Sequence, residues 1–227
     1  MGNIVNNYNI DIVLCIDKTG SMHYIVDEIR YTLHSLCAQM LETMEFSGKE
    51  VEKLRIKVIA FGDYLCDQEP MLETQFFNIP DEEYDLLNFL EKLEVRGGGD
   101  CPEDALQALA LALKSDWTLD GSKRRHIVMM FSDAPAHDLK EHADCIGYLE
   151  DMPIDLNHLA GWWHGTNCTL NSTYSARSGR LVLFVPQCEP WEEIMTWSGT
   201  FGVFVPAGYG LAGVDLSKEL QPFFELI

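Results

Sequence analysis

Residues 12–22 read Ile-Val-Leu-Cys-Ile-Asp-Lys-Thr-Gly-Ser-Met, and the change of character at Asp17 decides the fold. Consecutive apolar residues bury both faces of a strand, as an interior strand of a helix-covered parallel sheet requires. Asp17, Thr19 and Ser21 follow at alternate positions, with Gly20 between them to permit a turn. One carboxylate and two hydroxyls are hard oxygen donors, suited to Mg²⁺ or Mn²⁺ rather than zinc. Helix capping by Ser21 explains one hydroxyl. It does not explain a carboxylate closing a buried strand, because a buried charge needs compensation. The same letters also fit an aspartyl nucleophile that attacks phosphate.

Outward from this stretch, apolar runs alternate with amphipathic ones. The pattern predicts an α/β protein: a doubly wound, mostly parallel central sheet, one short antiparallel edge strand, and helices on both faces. Strands are expected over residues 10–16, 54–61, 126–131, 181–185 and 201–205, with the antiparallel partner of the second within 71–79. Helices are expected over 24–44, 81–93, 103–114 and 216–226, and from about Leu139 onward with Asp138 as its cap. Residues 152–180 hold Trp162, Trp163 and His164 before a polar stretch. They read as a covering helix with a loop, or as an interaction segment. With no repeat, low-complexity tract or linker, a single domain over residues 1–227 is expected.

Composition bounds the function. Hydrophobic content of 47% and charged content of 23% over 227 residues are those of a globular chain with one substantial core. No apolar run has the length to cross a bilayer, and the amino terminus lacks the basic and apolar regions of a secretion signal. A cytoplasmic location is therefore expected. Seven irregularly spaced cysteines give neither a zinc motif nor a disulfide framework. The net charge of −20 argues against a nucleic-acid partner and against adhesion to anionic membrane.

Ligands of an open parallel sheet collect at the carboxyl ends of its strands. Two more loops should reach that edge. Gly97-Gly98-Gly99-Asp100-Cys101-Pro102-Glu103-Asp104 precedes a helix, and Asp100 with Glu103 resembles a capping box. Three glycines before the acid imply close backbone approach or unusual dihedrals beyond what a cap needs. Phe131-Ser132-Asp133-Ala134-Pro135-Ala136-His137 ends another apolar strand, and Asp133 alone would suit a tight turn.

Together the three loops resemble the von Willebrand factor type A family and its metal-ion-dependent adhesion site. Asp17, Thr19 and Ser21 match the Asp-x-Ser/Thr-x-Ser signature, and Asp133 matches the acid after the fourth principal strand. The Gly-Gly-Gly-Asp-x-Pro-Glu stretch resembles a branch that includes cytosolic bacterial proteins of tellurium-resistance and stress-response clusters. The resemblance implies one Mg²⁺ or Mn²⁺ held by Asp17, Thr19, Ser21, Asp100 and Asp133. It also implies a protein partner, with kinase or phosphatase signalling components as the setting, and no catalysis by the chain itself. Adhesive members supply a neutral threonine from the second loop where this chain has Asp100. Three ionised carboxylates around a dication leave a local charge near −1, which disfavours capture of a partner's acid and favours a loop-ordering metal.

The rival reading is a haloacid-dehalogenase-like phosphotransferase with Asp17 as nucleophile, since Asp-Lys-Thr-Gly-Ser resembles that motif too. It requires a lysine near the phosphate and paired acids after a later strand; Asp133 is followed only by Ala-Pro. A metal-free scaffold whose loops merely cap helices is the third reading. His23 and His137 are expected to face solvent. His137 and His142, five apart, miss the spacing of paired helical zinc ligands. Asp63 and Asp67 are expected in a solvated loop.

Overall fold

The computed structural model describes residues 6–97 and 102–227. Five strands run parallel: β1 (Asn6–Asp17), β2 (Lys49–Phe61), β5 (Lys123–Phe131), β6 (Gly179–Pro186) and β7 (Thr200–Val205). Two short strands, β3 (Met71–Glu73) and β4 (Phe77–Ile79), lie antiparallel to β2. The order is β3-β2-β1-β5-β6-β7, with β4 also on β2, so chain direction across the sheet reverses at β1. The antiparallel edge is thus two pieces rather than one strand. Thr74 separates them: its hydroxyl accepts the Val58 amide at 3.0 Å in place of a backbone carbonyl, interrupting the ladder.

Alternation along β1 sends side chains to two cores. Ile10, Ile12, Leu14 and Ile16 pack under α1 (His23–Phe46), α2 (Glu83–Lys92) and α6 (Leu216–Leu226). Val13 and Cys15 pack under α3 (Ala105–Leu113), α4 (Leu156–His164) and α5 (Trp191–Ile194). The α1 stripe from Ile25 through Met44 is buried, as its spacing predicts. Ile25 has no exposed surface, so Ile25→Ala should remove about 2–5 kcal/mol of stability. In α3, alanines at 105, 108, 110 and 112 are all fully buried, and their small size lets the helix sit close on β1 and β2.

Residues 152–180 resolve to the covering-helix alternative. Asp155 caps α4 by accepting the His158 amide at 2.7 Å, and Gly165 closes it with φ 66°. Trp162 and Trp163 lie on its buried face. The expected helix from Leu139, capped by Asp138, does not form. Residues 138–148 make successive i to i+3 turns, and the Leu139 carbonyl accepts from the Tyr148 hydroxyl instead of a helical amide. Leu139 and His142 of this segment are both buried. The helix expected from residue 103 starts at Ala105.

Candidate functional site

The register puts three strand ends level. Asp17 pairs with Phe61 of β2 and Ile16 with Phe131 of β5, so the segments after all three strands leave the sheet at one edge. That edge is where the strand order reverses, the usual ligand position of such a sheet.

Asp17 is fully buried there. Its Oδ1 accepts the Thr19 amide at 2.9 Å and the Thr19 hydroxyl at 2.6 Å. Its Oδ2 accepts the Ser132 hydroxyl at 2.9 Å. Burial pushes the Asp17 carboxyl up to about 6; the Thr19 and Ser132 hydrogen bonds oppose this, and the charge of Asp133 adds to it. Ser21, exposed at the loop tip, donates its hydroxyl to Asp133 Oδ1 at 2.9 Å, and the Thr19 and Ser21 hydroxyl oxygens lie 3.5 Å apart. Asp17, Thr19, Ser21 and Asp133 therefore form one connected set of oxygen donors. Asp100 lies outside the described residues.

No basic side chain joins this set among the described residues. Lys18 is turned to Asp67, with Nζ 3.6 Å from Oδ2. Asp11, equally buried on the same strand, is gripped by Arg55 through two hydrogen bonds of 2.8 and 2.7 Å and by the Thr118 amide at 2.6 Å.

The surrounding loops are fastened to each other. The Gly20 amide reaches the Gly97 carbonyl at 3.4 Å. Gly97, with φ 92°, also leaves the space occupied by the Asp67 carboxylate, so the first glycine of its run has both properties expected of it. Glu103 pairs with Ala136 as a parallel bridge, and the Asp104 amide donates to the Gly62 carbonyl at 3.1 Å. Asp100, the expected capping partner of Glu103, lies outside the described residues; the Glu103 side chain is buried and its Oε2 makes no hydrogen bond. Burial and then the charges of Asp17, Asp63, Asp67 and Asp104 push its carboxyl up to about 9. Trp191 Nε1 donates to the Ala134 carbonyl at 3.0 Å and holds the Asp133 turn from below.

Three participants escaped the sequence reading. Ser132 could have been flagged, since it sits beside Asp133 at a strand end. Gly210, in the segment after β7, gave no signal. Its amide donates to Asp133 Oδ2 at 2.6 Å, and with φ 57° it packs directly on the Ser21 backbone. The third is a buried group beside the edge. Asp63 is fully buried, His137 is 4% exposed and His142 is 1% exposed, contrary to the solvent-facing positions expected for Asp63 and His137. Asp67 is also largely buried, against the solvated loop expected of it. Helical spacing was the wrong test for the two histidines, because the segment that carries them is not helical.

A family model described as the von Willebrand factor A domain matches residues 11–159. Among curated proteins, an Acanthamoeba polyphaga mimivirus protein named as an ariadne-like RING finger protein is 27% identical over 132 residues. That alignment covers 58% of this chain and 12% of the viral protein, so the chain matches about an eighth of that relative's length. Among solved structures, the open conformation of the pilus adhesin SpaC from Lactobacillus rhamnosus GG aligns at 14% identity and TM-score 0.40, covering 58% of this chain and 15% of the adhesin. Proximal thread matrix protein 1 from the mussel byssus, with a zinc-occupied MIDAS motif, aligns at 12% identity and TM-score 0.46, covering 97% of this chain and 48% of that one.

Proposed function

This chain belongs to the von Willebrand factor A domain family, and from that membership we propose that it is a metal-dependent interaction module rather than an enzyme. The residues that would hold one Mg²⁺ or Mn²⁺ are Asp17, Thr19, Ser21, Asp133 and, from the neighbouring loop, Asp100. The observation that carries the reading is the company Asp17 keeps. It is a fully buried carboxylate among hydroxyls and a second carboxylate, with no cationic side chain in the described residues. A hard dication supplies the compensation that Arg55 gives Asp11, and an all-oxygen donor set suits Mg²⁺ or Mn²⁺.

The donors are oriented in advance. Asp17 fixes the Thr19 hydroxyl, and Asp133, clamped by the Gly210 amide, fixes Ser21, so a metal meets lone pairs already aimed at one region. Ser21 stands at the exposed loop tip, where a coordination position left open would face a partner. The phosphotransferase alternative draws less support. Lys18 is engaged by Asp67, and Asp133 is committed to Ser21 and Gly210.

The partner class is protein, in keeping with the −20 net charge, which opposes nucleic acid and anionic lipid. No helix among the described residues is long and apolar enough to cross a membrane. A cytoplasmic setting beside signalling kinases or phosphatases is the context proposed. The direct test is affinity capture from the native cell with wild type and Asp17→Ala, each with and without chelator. Partners lost in both perturbations support the reading. Partners retained in both place binding elsewhere, and aspartyl-phosphate trapped on Asp17 by acetyl phosphate would replace it with catalysis.

A further inference from the structure

We propose a second metal site, chemically unlike the first, in which Asp63, His137 and His142 ligate a first-row transition metal of the zinc class. These residues lie where the segments after β2 and β5 meet beneath the start of α3, and each offers a ligand atom within 4.8 Å of the others.

Some ligand atoms of these residues are in use and others are left over. Asp63 spends Oδ1 on the Leu65 amide, leaving Oδ2 without a hydrogen bond. His142 turns Nδ1 to the Asp104 carboxylate, 3.0 Å from both oxygens, leaving Nε2 buried and unpartnered. His137 has Nδ1 3.0 Å from Glu141 Oε2, but neither Nδ1 nor Nε2 makes a hydrogen bond. His142 thus has one nitrogen held by a carboxylate and the other spare, the arrangement that fixes tautomer and ring plane in metal-ligating histidines, while His137 has both nitrogens buried without a hydrogen bond. Four orphaned atoms in one buried cluster are costly, since an unsatisfied buried polar group is destabilising by about 1–3 kcal/mol.

An ordinary ion-pair network does not satisfy them. His137 Nε2 and Asp63 Oδ2 are 3.5 Å apart, too long for a good hydrogen bond. That separation is instead close to the roughly 3.4 Å between two ligands of a tetrahedral ion bound at about 2.05 Å. Two nitrogens and one carboxylate oxygen suit zinc, cobalt or nickel and suit Mg²⁺ poorly, so the two sites would sort metals by donor type. Three protein ligands leave a fourth position for water. Glu141, half-exposed beside His137, marks the side on which the cluster meets solvent. An ion here ties the segment carrying Asp133 to the one leaving β2, next to the edge site but without sharing a ligand.

The test uses the full chain with excess Mg²⁺ present to fill the edge site, titrated with Co²⁺ alone and then displaced by Zn²⁺. The expected result is one saturable equivalent of Co²⁺ with the intense visible absorption of a four-coordinate ion, displaced by Zn²⁺. X-ray absorption of the zinc-loaded wild type should show imidazole ligation, a readout that needs no variant. His142→Ala should weaken Co²⁺ binding about 100-fold or more, and Asp104→Asn, which only orients His142, about 10–100-fold. Mn²⁺ binding at the edge, followed by electron paramagnetic resonance, should persist in His142→Ala. Absence of saturable Co²⁺ uptake by the wild type, an oxygen-only shell, or uptake unmoved by His137→Ala and His142→Ala would overturn the proposal. Loss of Mn²⁺ binding with Co²⁺ uptake intact would overturn the edge site alone.

Discussion

Asp11 and Asp17 sit on the same strand, point to the same face and are equally buried, yet the fold compensates them in opposite ways. Asp11, toward the amino end of β1, has its cation built in: the Arg55 guanidinium forks onto both oxygens and lies over the Phe76 ring, 4.4 Å from its centroid. Asp17, at the carboxyl end, has hydroxyls, an amide and another acid. A side-chain cation makes a carboxylate structural and closes it to anything else. Neutral donors leave charge uncompensated and therefore available. One strand thus carries a finished ion pair at one end and a half-finished one at the other.

The comparison breaks first at Arg55. Arg55→Ala strands a buried carboxylate, so a loss of about 3–5 kcal/mol is expected in urea unfolding, whether or not Mg²⁺ is present. Gly210→Ala comes next. Its Cβ would collide with the Ser21 backbone at a φ of 57°, so about 1–3 kcal/mol of strain should appear, with weaker Mn²⁺ binding by calorimetry. Asp17→Asn should be the mildest of the three in metal-free protein, within about 1 kcal/mol of wild type, because no ion pair is broken. Wild type is expected to gain thermal stability from millimolar Mg²⁺ or Mn²⁺, and the same substitution should abolish that gain. If Asp17→Asn instead proved as damaging without metal as Arg55→Ala, the two carboxylates would be structural equivalents and the contrast would fail.

The smallest effect concerns pH. His126 is buried against Trp117, with ring centroids 4.9 Å apart; it accepts the Ser175 amide at Nδ1 and contacts the Thr118 carbonyl through Nε2. Burial lowers its affinity for a proton, more than the Thr118 carbonyl and the nearby Asp11 charge raise it. With the folded value below the unfolded one, the unfolded chain binds the extra proton between the two. Stability from this residue is therefore present above the unfolded value and lost as pH falls through that window. His126→Gln should flatten the change in urea midpoint between about pH 7.5 and about pH 5 relative to wild type. An unchanged slope would assign the acid sensitivity elsewhere.

Much of the architecture was legible because it rests on periodicity. Apolar runs ending in Asp17 and Asp133 located two strand ends, and the 3.6-residue stripe of α1 located its buried face. Local chemistry was equally readable where donors are neighbours, as with Asp17 and Thr19. Errors arose where a distant group outbid the local pattern. Tyr148 takes the Leu139 carbonyl, so the helix expected there gives way to turns, and His142 swings to Asp104. Asp63 looked like a loop residue until the Asp104 amide and the Leu65 amide closed around its segment.

The sequence by itself determined the sheet, its carboxyl-end loops and the all-oxygen character of the edge donors, because strand periodicity and hard-donor spacing are local properties. Only the tertiary structure decided that Asp11 is neutralised and Asp17 is not. It alone brought Gly210 onto Asp133, and gathered Asp63, His137 and His142 from two segments into one buried cluster. Those outcomes depend on register between β1, β2 and β5, which sets residues far apart in the chain level with one another. Compensation of buried charge is a property of such neighbours, not of the residue that carries the charge.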